Sequence, residues 1–413
     1  MIDYFYDAYV ILNKVYSEGS FVKQAISSTI IEEKYRNATV KTVYGVLDRD
    51  IELSYYIKLL SDKNPKLVIR TILKISIYTI KYLKKAPYAV IDSAVELTKK
   101  LGKKAMSGFV NAVLRRFCRE DLPMPCDNLE RLSVEYSYPD YAVKMLISDY
   151  GEDVAKKIMS YENDSSYLAF FNYDGHQYLN KNNIAYNLTP FENLFEVKNF
   201  TRNEGFEKGI YTYQNIGSFA ICDVVDGGDN LIDVCSAPGG KSVNLSYKFN
   251  NVTSLELHEH RVELIKKYCQ RMKVTNVTAL QHDSTFVRSD FVGKFDACLC
   301  DVPCSGFGVV FENPDIKLNR EVSSIQELCN TQYAILEASS KYVKTGGYLY
   351  YSTCSVFKCE NQLNVDKFLE NHKDFIQEEI DSKLPNIKIG KGVQFLPHIS
   401  GGGFFVAKLK KIN

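Results

Sequence analysis

The chain of 413 residues has no long apolar run and no export signal. Its longest apolar stretches are interrupted by charges such as Lys74 and Lys81, so a membrane-spanning helix is not expected. The N-terminus does not combine a basic start with an apolar segment, so no secretory signal is expected either. The 11 cysteines should therefore be reduced thiols, as in a cytoplasmic protein.

A metal site is also not expected, because the chain has only six histidines and no two cysteines in C-x-x-C spacing. The net charge is close to zero, at +1, but its sign is unevenly distributed. Residues 1–145 carry 23 Lys and Arg against 17 Asp and Glu, a net +6, and the remainder carries −5. This basic front part is compatible with a polyanion-docking module, and equally with an ordinary solvated surface.

The length allows two or three domains. From residue 4 to about 117 the apolar residues recur with helical period, as in the stripe Ala8, Ile11, Leu12 and Val15. We predict six or seven helices there, with breaks near Pro65 and Pro87 and a proline-containing linker at 121–126. Residues 1–128 are therefore predicted to form an all-helical domain.

Residues 129–222 are predicted to form a small α+β subdomain, with a helix over 141–161 and short apolar runs after it. From residue 223 to the end, strand, loop and helix alternate, which favours a doubly wound, Rossmann-like parallel sheet. Predicted strands are 231–234, 252–257, 277–280, 295–300 and 348–351, with a helix over 327–343 and a closing strand within 401–410.

Three predicted strands end in loops that carry reactive or glycine-rich sequence. The first strand leads to the loop Cys235-Ser236-Ala237-Pro238-Gly239-Gly240-Lys241, and two later strands lead to Cys304 and Cys354. In a parallel α/β sheet such loops meet at the carboxyl edge, where ligands bind. A pair of thiols facing a glycine-rich loop suggests covalent catalysis beside a nucleotide-like cofactor.

Acidic residues follow the strands in a pattern that also suggests a cofactor. Glu256 ends the second strand, 23 residues after Asp233, where nucleotide-binding folds place a carboxylate for ribose hydroxyls. Asp283 follows the third strand. A P-loop is the alternative, since Gly240-Lys241-Ser242 matches its last residues, but Cys235 occupies the position of its first glycine.

Together, residues 233–241, 301–306 and 352–355 resemble motifs of the S-adenosylmethionine-dependent RNA cytosine-5 methyltransferases, in the RsmB (Sun) group that acts on small-subunit ribosomal RNA. Segments 43–46, 87–96 and 108–115 are similar to the NusB RNA-binding helical fold. The resemblance covers most of the chain outside 165–205. One departure is Phe170, which stands where the group usually has arginine.

The resemblance implies a role for each motif residue. Cys354 would be the nucleophile, Cys304 would assist product release, and Asp301 would hydrogen-bond N3 of cytosine or lie near the sulfonium. The residues implied to bind S-adenosylmethionine are Cys235, Ser236, Ala237, Pro238, Gly239, Gly240, Lys241, Glu256, Asp283 and Asp301. Lys241 could instead lower a thiol pKa, contact a phosphate, or be an exposed helix-start lysine.

The implied partner is single-stranded or locally opened ribosomal RNA, because the reacting base must leave its stack. We expect a monomer, since one chain carries the complete set of catalytic residues. Candidate phosphate contacts, or merely solvated residues, are Lys99, Lys100, Lys103, Lys104, Arg115, Arg116 and Arg119. The alternative function is a non-catalytic RNA-binding or ribosome assembly factor on a methyltransferase scaffold.

Overall fold

The structure, a computed structural model, describes residues 4–318 and 320–413. Its contacts divide the chain into two compact units. One unit extends to Ser160 and includes Val310–Arg320, and the other consists of Tyr161–Val309 and Glu321–Asn413. The domain borders after residues 128 and 222 stay a prediction.

The first unit is helical, as the apolar period predicts. Within residues 4–119 the structure has seven α-helices, and the stripe residues of the first one are buried in the unit's core. Pro65 precedes α5 and Pro87 begins α6, which places both prolines where a missing N–H is tolerated. The helices are α1 (Phe5–Glu18), α2 (Val22–Ser27), α3 (Arg36–Asp48), α4 (Asp50–Leu60), α5 (Leu67–Lys81), α6 (Pro87–Lys100), α7 (Ser107–Arg119), α8 (Asn128–Tyr136), α9 (Asp140–Tyr150) and α10 (Glu152–Met159).

The single helix predicted over 141–161 is wrong. Two helices, α9 and α10, occupy this range, and they meet at Gly151. This residue has φ of 79°, in the region that favours glycine, so it ends α9 and starts the next helix in a new direction.

A segment distant in sequence completes the helical unit. Val310–Arg320 contains a short 3₁₀ turn, Pro314–Lys317, that packs on α3. The Lys317 side chain is 2% exposed, and its Nζ donates to the backbone oxygen (2.6 Å) and to Oδ1 (2.9 Å) of Asp48. The ammonium therefore has the partners that a buried charge requires.

The second unit begins with a small antiparallel sheet, in agreement with the predicted α+β piece. Its strand order is β2-β3-β1-β4. Phe170, the residue standing in place of arginine, is 1% exposed and packs against Tyr178, Phe195 and Tyr211. That position therefore serves the core of this sheet. The elements are β1 (Ser165–Ala169), α11 (Gly175–Lys181), β2 (Asn187–Leu188), β3 (Leu194–Lys198), α12 (Glu204–Glu207) and β4 (Thr212–Tyr213).

A larger sheet forms the rest of this unit, with strand order β11-β12-β13-β9-β8-β5-β6-β7 and β10 paired to β13. The five strands β7, β6, β5, β8 and β9 are parallel, and β13 runs antiparallel to β9. The strands are β5 (Gly228–Asp233), β6 (Phe249–Glu256), β7 (Val277–Gln281), β8 (Phe295–Asp301), β9 (Val343–Thr353), β10 (Phe375–Glu378), β11 (Ile387–Ile389), β12 (Gly392–Phe395) and β13 (Phe404–Lys411). The helices are α13 (Ile216–Asp223), α14 (Gly240–Leu245), α15 (Glu259–Met272), α16 (Val322–Ser340), α17 (Gln362–Asn371) and α18 (Pro397–Ser400).

Both faces of this sheet are covered. Leu231 and Leu299 belong to one hydrophobic core, whereas Ile232 and Cys298 belong to another that includes residues of α16 and α17. Alternate residues of one strand thus enter different cores, as in a doubly wound sheet. The predicted helix 327–343 ends earlier, at Ser340, because residue 343 already begins β9.

Neither a membrane-crossing helix nor a metal-binding cluster is found in the part of the chain that the structure describes. No helix there is long and apolar enough to cross a membrane. No group of three or more His, Cys, Asp or Glu side chains there could hold a metal ion.

Candidate active site

The glycine-rich loop follows β5 and is fixed to the neighbouring strand. Both the backbone N–H and the hydroxyl of Ser236 donate to the Leu255 oxygen of β6 at 3.0 Å. Gly239 has φ of 105°, and a Cβ there would lie 3.3 Å from Ile265 Cγ2. Glycine suits this position, because other residues rarely adopt this φ and a Cβ would crowd α15.

Carboxylates stand at the carboxyl ends of adjacent parallel strands. Asp233 ends β5, Glu256 ends β6, Asp301 ends β8, and Asp283 follows β7 by two residues. The side chains of Asp233 and Glu256 are buried, and those of Asp283 and Asp301 are partly exposed. This row of acceptors favours hydroxyl groups and positive charge at one edge of the sheet.

Asp233 is a buried acid with a raised pKa. Its Oδ2 accepts from the Ser242 hydroxyl at 2.6 Å, while its buried Oδ1 has no hydrogen-bond partner. Burial, which disfavours the charged form, raises its pKa to about 7. Near neutral pH this side chain therefore exchanges between the carboxylic acid and the carboxylate.

The variant Asp233→Asn should change how stability depends on pH. An unfolded aspartate has a pKa of about 3.9, so between pH 4 and 7 the native state holds a proton that the unfolded chain releases. The contribution of Asp233 to stability therefore falls as pH rises through this window, by up to about 4 kcal/mol, and asparagine removes this contribution. Urea unfolding of both proteins at pH 4.5, 6 and 7.5 measures it.

Asp283→Asn is the matched control for this measurement. Hydrogen bonds from the Thr285 hydroxyl and N–H lower the pKa of Asp283, so it stays ionised throughout the same window. The difference between wild type and Asp283→Asn should therefore be flat from pH 5 upwards. A pH-independent difference for Asp233→Asn would contradict the titration assigned to that residue.

Glu256 and Asp283 differ in the partners of their carboxylates. Glu256 Oε1 accepts from the N–H of His258 at 3.2 Å and from Arg261 at 3.3 Å, and Oε2 takes part in neither bond. Asp283 uses Oδ1 for its own turn, through Thr285 N (3.0 Å) and Oγ1 (2.7 Å). Each acid thus keeps one oxygen outside these contacts.

Lys241 is mostly buried, so the alternative prediction of an exposed lysine at the helix start is wrong. Its side chain is 14% exposed, and Nζ lies 2.8 Å from Asp301 Oδ2. Burial lowers the pKa of the Lys241 ammonium, but the Asp301 charge and hydrogen bond more than compensate, so the pKa is raised overall. The other oxygen of Asp301 accepts from the Ser352 hydroxyl at 2.7 Å.

The strand register brings the two cysteine loops together. Asp301 on β8 pairs with Ser352 on β9, so Cys304 and Cys354 start their loops from the same level of the sheet. Their Sγ atoms are 2.9 Å apart, and the N–H of Cys354 donates to Cys304 Sγ at 3.2 Å. Both are free thiols with partly exposed side chains. The pair can therefore share a proton and still reach a ligand.

The pKa of Cys304 is raised well above that of an ordinary thiol. Its hydrogen bond with Cys354 contributes most, followed by burial and by the charge that Cys354 carries when ionised. Cys304 therefore keeps its proton near neutral pH. Burial likewise raises the pKa of Cys235, which packs against the core.

Sequence reasoning missed Glu360. This fully buried carboxylate contacts the residues that follow Cys304 and Cys354, which are both serines. The repeated Cys-Ser pair was the available signal, because two buried hydroxyls need partners.

Among the predicted RNA contacts, Arg116 is paired with Glu120 (2.8 Å) and the Leu60 oxygen (2.9 Å), whereas Lys103 and Lys104 are exposed.

Comparison with known proteins identifies the family of this chain. A model described as 16S rRNA methyltransferase RsmB/F matches residues 223–410, and a NusB family model matches residues 6–119. The probable ribosomal RNA small subunit methyltransferase B of Bacillus subtilis (strain 168) is 30% identical, covering 97% of this chain and 95% of that one. The chain belongs to the RsmB/F methyltransferase family.

Other relatives agree with this assignment. The probable ribosomal RNA small subunit methyltransferase B of Synechocystis is 28% identical over 98% of both chains. Two solved structures share the fold: PH0851 (TM-score 0.82, 20% identity, 98% and 97% coverage) and a methyltransferase homologue from Pyrococcus horikoshii (0.60, 21%, 70% and 100%). The RsmB/F match includes the glycine loop, which is thereby a methyltransferase loop rather than a P-loop.

S-adenosylmethionine is the cofactor of this RsmB/F chain, and the residues at the sheet edge fit it. The buried Oδ1 of Asp233, at the end of the strand that leads into the glycine loop, lacks a partner. Glu256 Oε2 and the row of carboxylates suit ribose hydroxyls and a cationic donor. Which of the predicted loop residues contact the cofactor stays a prediction.

Proposed function

We propose that this protein methylates C5 of a cytosine in small-subunit ribosomal RNA through a transient bond between Cys354 and C6 of the base. The observation that carries the proposal is the pair of free thiols 2.9 Å apart at the carboxyl ends of β8 and β9. The adjacent Lys241–Asp301 pair supplies fixed charges beside them. The resemblance of the loops to the cytosine-5 methyltransferases agrees with this chemistry.

C5 of cytosine is a poor nucleophile and has to be activated. Addition of the Cys354 thiolate to C6 breaks the C5–C6 double bond and makes C5 electron-rich, which divides one difficult step into easier ones. S-adenosylmethionine, when bound, supplies the electrophilic methyl group. Removal of the C5 proton then restores the double bond and expels the Cys354 thiolate, so the enzyme is regenerated.

The two thiols can divide this work because their sulfur atoms are in contact. The hydrogen bond with Cys354 and then burial raise the pKa of Cys304, so Cys304 begins the reaction as a thiol. Once Cys354 becomes a thioether on C6, it is neutral and only a weak acceptor, so less opposes the ionisation of Cys304. Cys304 can then release its proton to water and accept the proton from C5.

Asp301 would orient the base. Two of its acceptor positions are taken by Lys241 Nζ and the Ser352 hydroxyl, which fix the carboxylate. A carboxylate has about four acceptor sites, so it can still accept from the amino group or from a protonated N3 of cytosine. Holding a proton at N3 draws electrons from C6 and favours the attack of Cys354.

The target cytosine has to leave its stack to reach these sulfurs, so the substrate would be single-stranded or locally opened RNA. The NusB-like helical unit would dock the RNA backbone, with the exposed Lys103 and Lys104 as stronger candidates than the internally paired Arg116. Because every proposed catalytic residue lies in one chain, a monomer would suffice.

The test is identification of the methylated nucleoside. The purified protein should transfer label from [methyl-³H]S-adenosylmethionine to small-subunit ribosomal RNA, and digestion should give labelled 5-methylcytidine. Label in any other nucleoside contradicts the C5 assignment. RNA binding without any transfer would favour the alternative, an assembly factor on a methyltransferase scaffold.

A further inference from the structure

Glu360 lies in the 3₁₀ turn Lys358–Glu360 and is completely buried. Its Oε1 accepts from the backbone N–H of Ser305 (2.8 Å) and from Gln332 Nε2 (2.9 Å). Its Oε2 accepts from the hydroxyls of Ser305 (2.6 Å) and Ser355. A buried carboxylate requires such compensation, and here three of the four donors come from the residues directly after Cys304 and Cys354.

Neighbouring side chains extend this arrangement to the residues before each cysteine. Gln332 Nε2 also donates to the Pro303 oxygen at 3.0 Å. Asn361 accepts from the Thr353 hydroxyl at 2.6 Å and donates to the Ser355 oxygen at 3.0 Å. Each cysteine is therefore bracketed by a hydrogen-bonded residue on both sides.

The carboxylate reaches both loops without bonding to either sulfur. The two loops are also joined by the Cys354 N–H, which donates to Cys304 Sγ (3.2 Å), and by the Gly308 N–H, which donates to the Cys354 oxygen (3.0 Å). The Ser305 and Ser355 hydroxyls lie 3.2 Å apart and each donates its one proton to Glu360, so the carboxylate sets the orientation of both. Loss of Glu360 would therefore loosen the loops from each other, and it would also remove a charge that contributes to the raised pKa of Cys304.

We propose that Glu360 is a positioning residue, which locks the Cys304 loop against the Cys354 loop so that the two sulfurs stay in contact. What the sulfurs do rests on the proposed function, whereas their placement does not. A displacement of about 1 Å at a reacting atom can cost about 100-fold in rate. Glu360 should therefore affect catalysis strongly although it does not touch the substrate.

The first measurement is steady-state kinetics of Glu360→Ala. We expect kcat to fall about 10- to 100-fold, while KM for RNA and for S-adenosylmethionine changes by no more than about twofold. Glu360→Gln should restore much of kcat, because its amide oxygen still accepts and the two serine hydroxyls can turn to accept from its NH₂. Asp296→Asn is the matched control: this acid lies near the start of β8 and pairs with Lys344, so kcat should stay at the wild-type level.

The second measurement needs neither RNA nor cofactor. Diamide takes two electrons and two protons from a pair of thiols, which forms the disulfide and reduces diamide to its hydrazine. In wild type, Cys304 and Cys354 should be linked rapidly, as followed by mass spectrometry of tryptic peptides. In Glu360→Ala the initial rate of this linkage should fall at least about fivefold, with rescue by Glu360→Gln.

The two measurements separate the proposals. If the disulfide between Cys304 and Cys354 forms more slowly in Glu360→Ala but the Cys354→Ala protein still methylates RNA, the positioning role of Glu360 stands and the covalent mechanism is wrong. If linkage and kcat both stay at wild-type levels in folded Glu360→Ala, the positioning role is wrong. Should Glu360→Ala not fold, Glu360→Gln and the double variant Ser305→Ala, Ser355→Ala give the same two readouts, with wild-type values in the double variant overturning the role.

Discussion

Cys354→Ala should lose methyl transfer, with kcat reduced at least about a thousandfold, because the variant lacks the sulfur proposed to bond to C6. The affinity for S-adenosylmethionine should stay within about threefold of wild type, since the glycine loop and the strand-end carboxylates are unchanged. Transfer of labelled methyl to RNA measures the first effect, and titration calorimetry with the cofactor measures the second.

Cys118→Ala is the control for this variant. Cys118 is an exposed thiol on α7, in the helical unit, and its loss should leave transfer unchanged. A folded Cys354→Ala protein that methylates at the normal rate would overturn the assignment of the nucleophile.

Cys304→Ala should have the opposite signature, a covalent protein–RNA adduct that accumulates during turnover. Attack by Cys354 and methylation can still occur, but the C5 proton has no base to accept it, so the thioether to C6 persists. A labelled RNA band that migrates with the protein on a denaturing gel measures this adduct. Turnover should fall in parallel.

The double variant Cys304→Ala, Cys354→Ala distinguishes the two sulfurs. It should form no adduct, since the nucleophile is absent. If instead Cys354→Ala accumulates the adduct and Cys304→Ala does not, the roles of the two cysteines are exchanged. This outcome is meaningful because the assignment of Cys354 over Cys304 comes from resemblance to the family rather than from spacing.

The sequence predicted the parallel strands and their loops well, because buried strands are marked by apolar runs and ligand-binding loops by glycine or cysteine after them. Each strand predicted between Leu231 and Tyr351 is present, with ends shifted by at most five residues. The contact between Cys304 and Cys354 follows from their position after adjacent parallel strands. Periodicity could also place the helices of the first unit.

Other features depend on tertiary contacts that no local pattern records. From the sequence alone, Gly151 is compatible with one uninterrupted helix, and only its positive φ shows that a helix ends there. Lys241 is indistinguishable in sequence from a solvated lysine, and only the fold brings it to Asp301, 60 positions away. Glu360 could not be recognised from the sequence for the same reason. A glutamate is usually exposed, and only the tertiary contacts show that this one is buried.

The segment Val310–Arg320 has a practical consequence for dissecting this enzyme. The polypeptide passes between its two units after residues 160, 309 and 320, so neither unit is one continuous stretch. A fragment limited to 223–413 would carry Val310–Arg320 without the helices it packs on, so the surface that this segment buries in the intact protein would be exposed to water. We therefore expect the catalytic half to be unstable on its own and to be recovered by co-expression with the helical half.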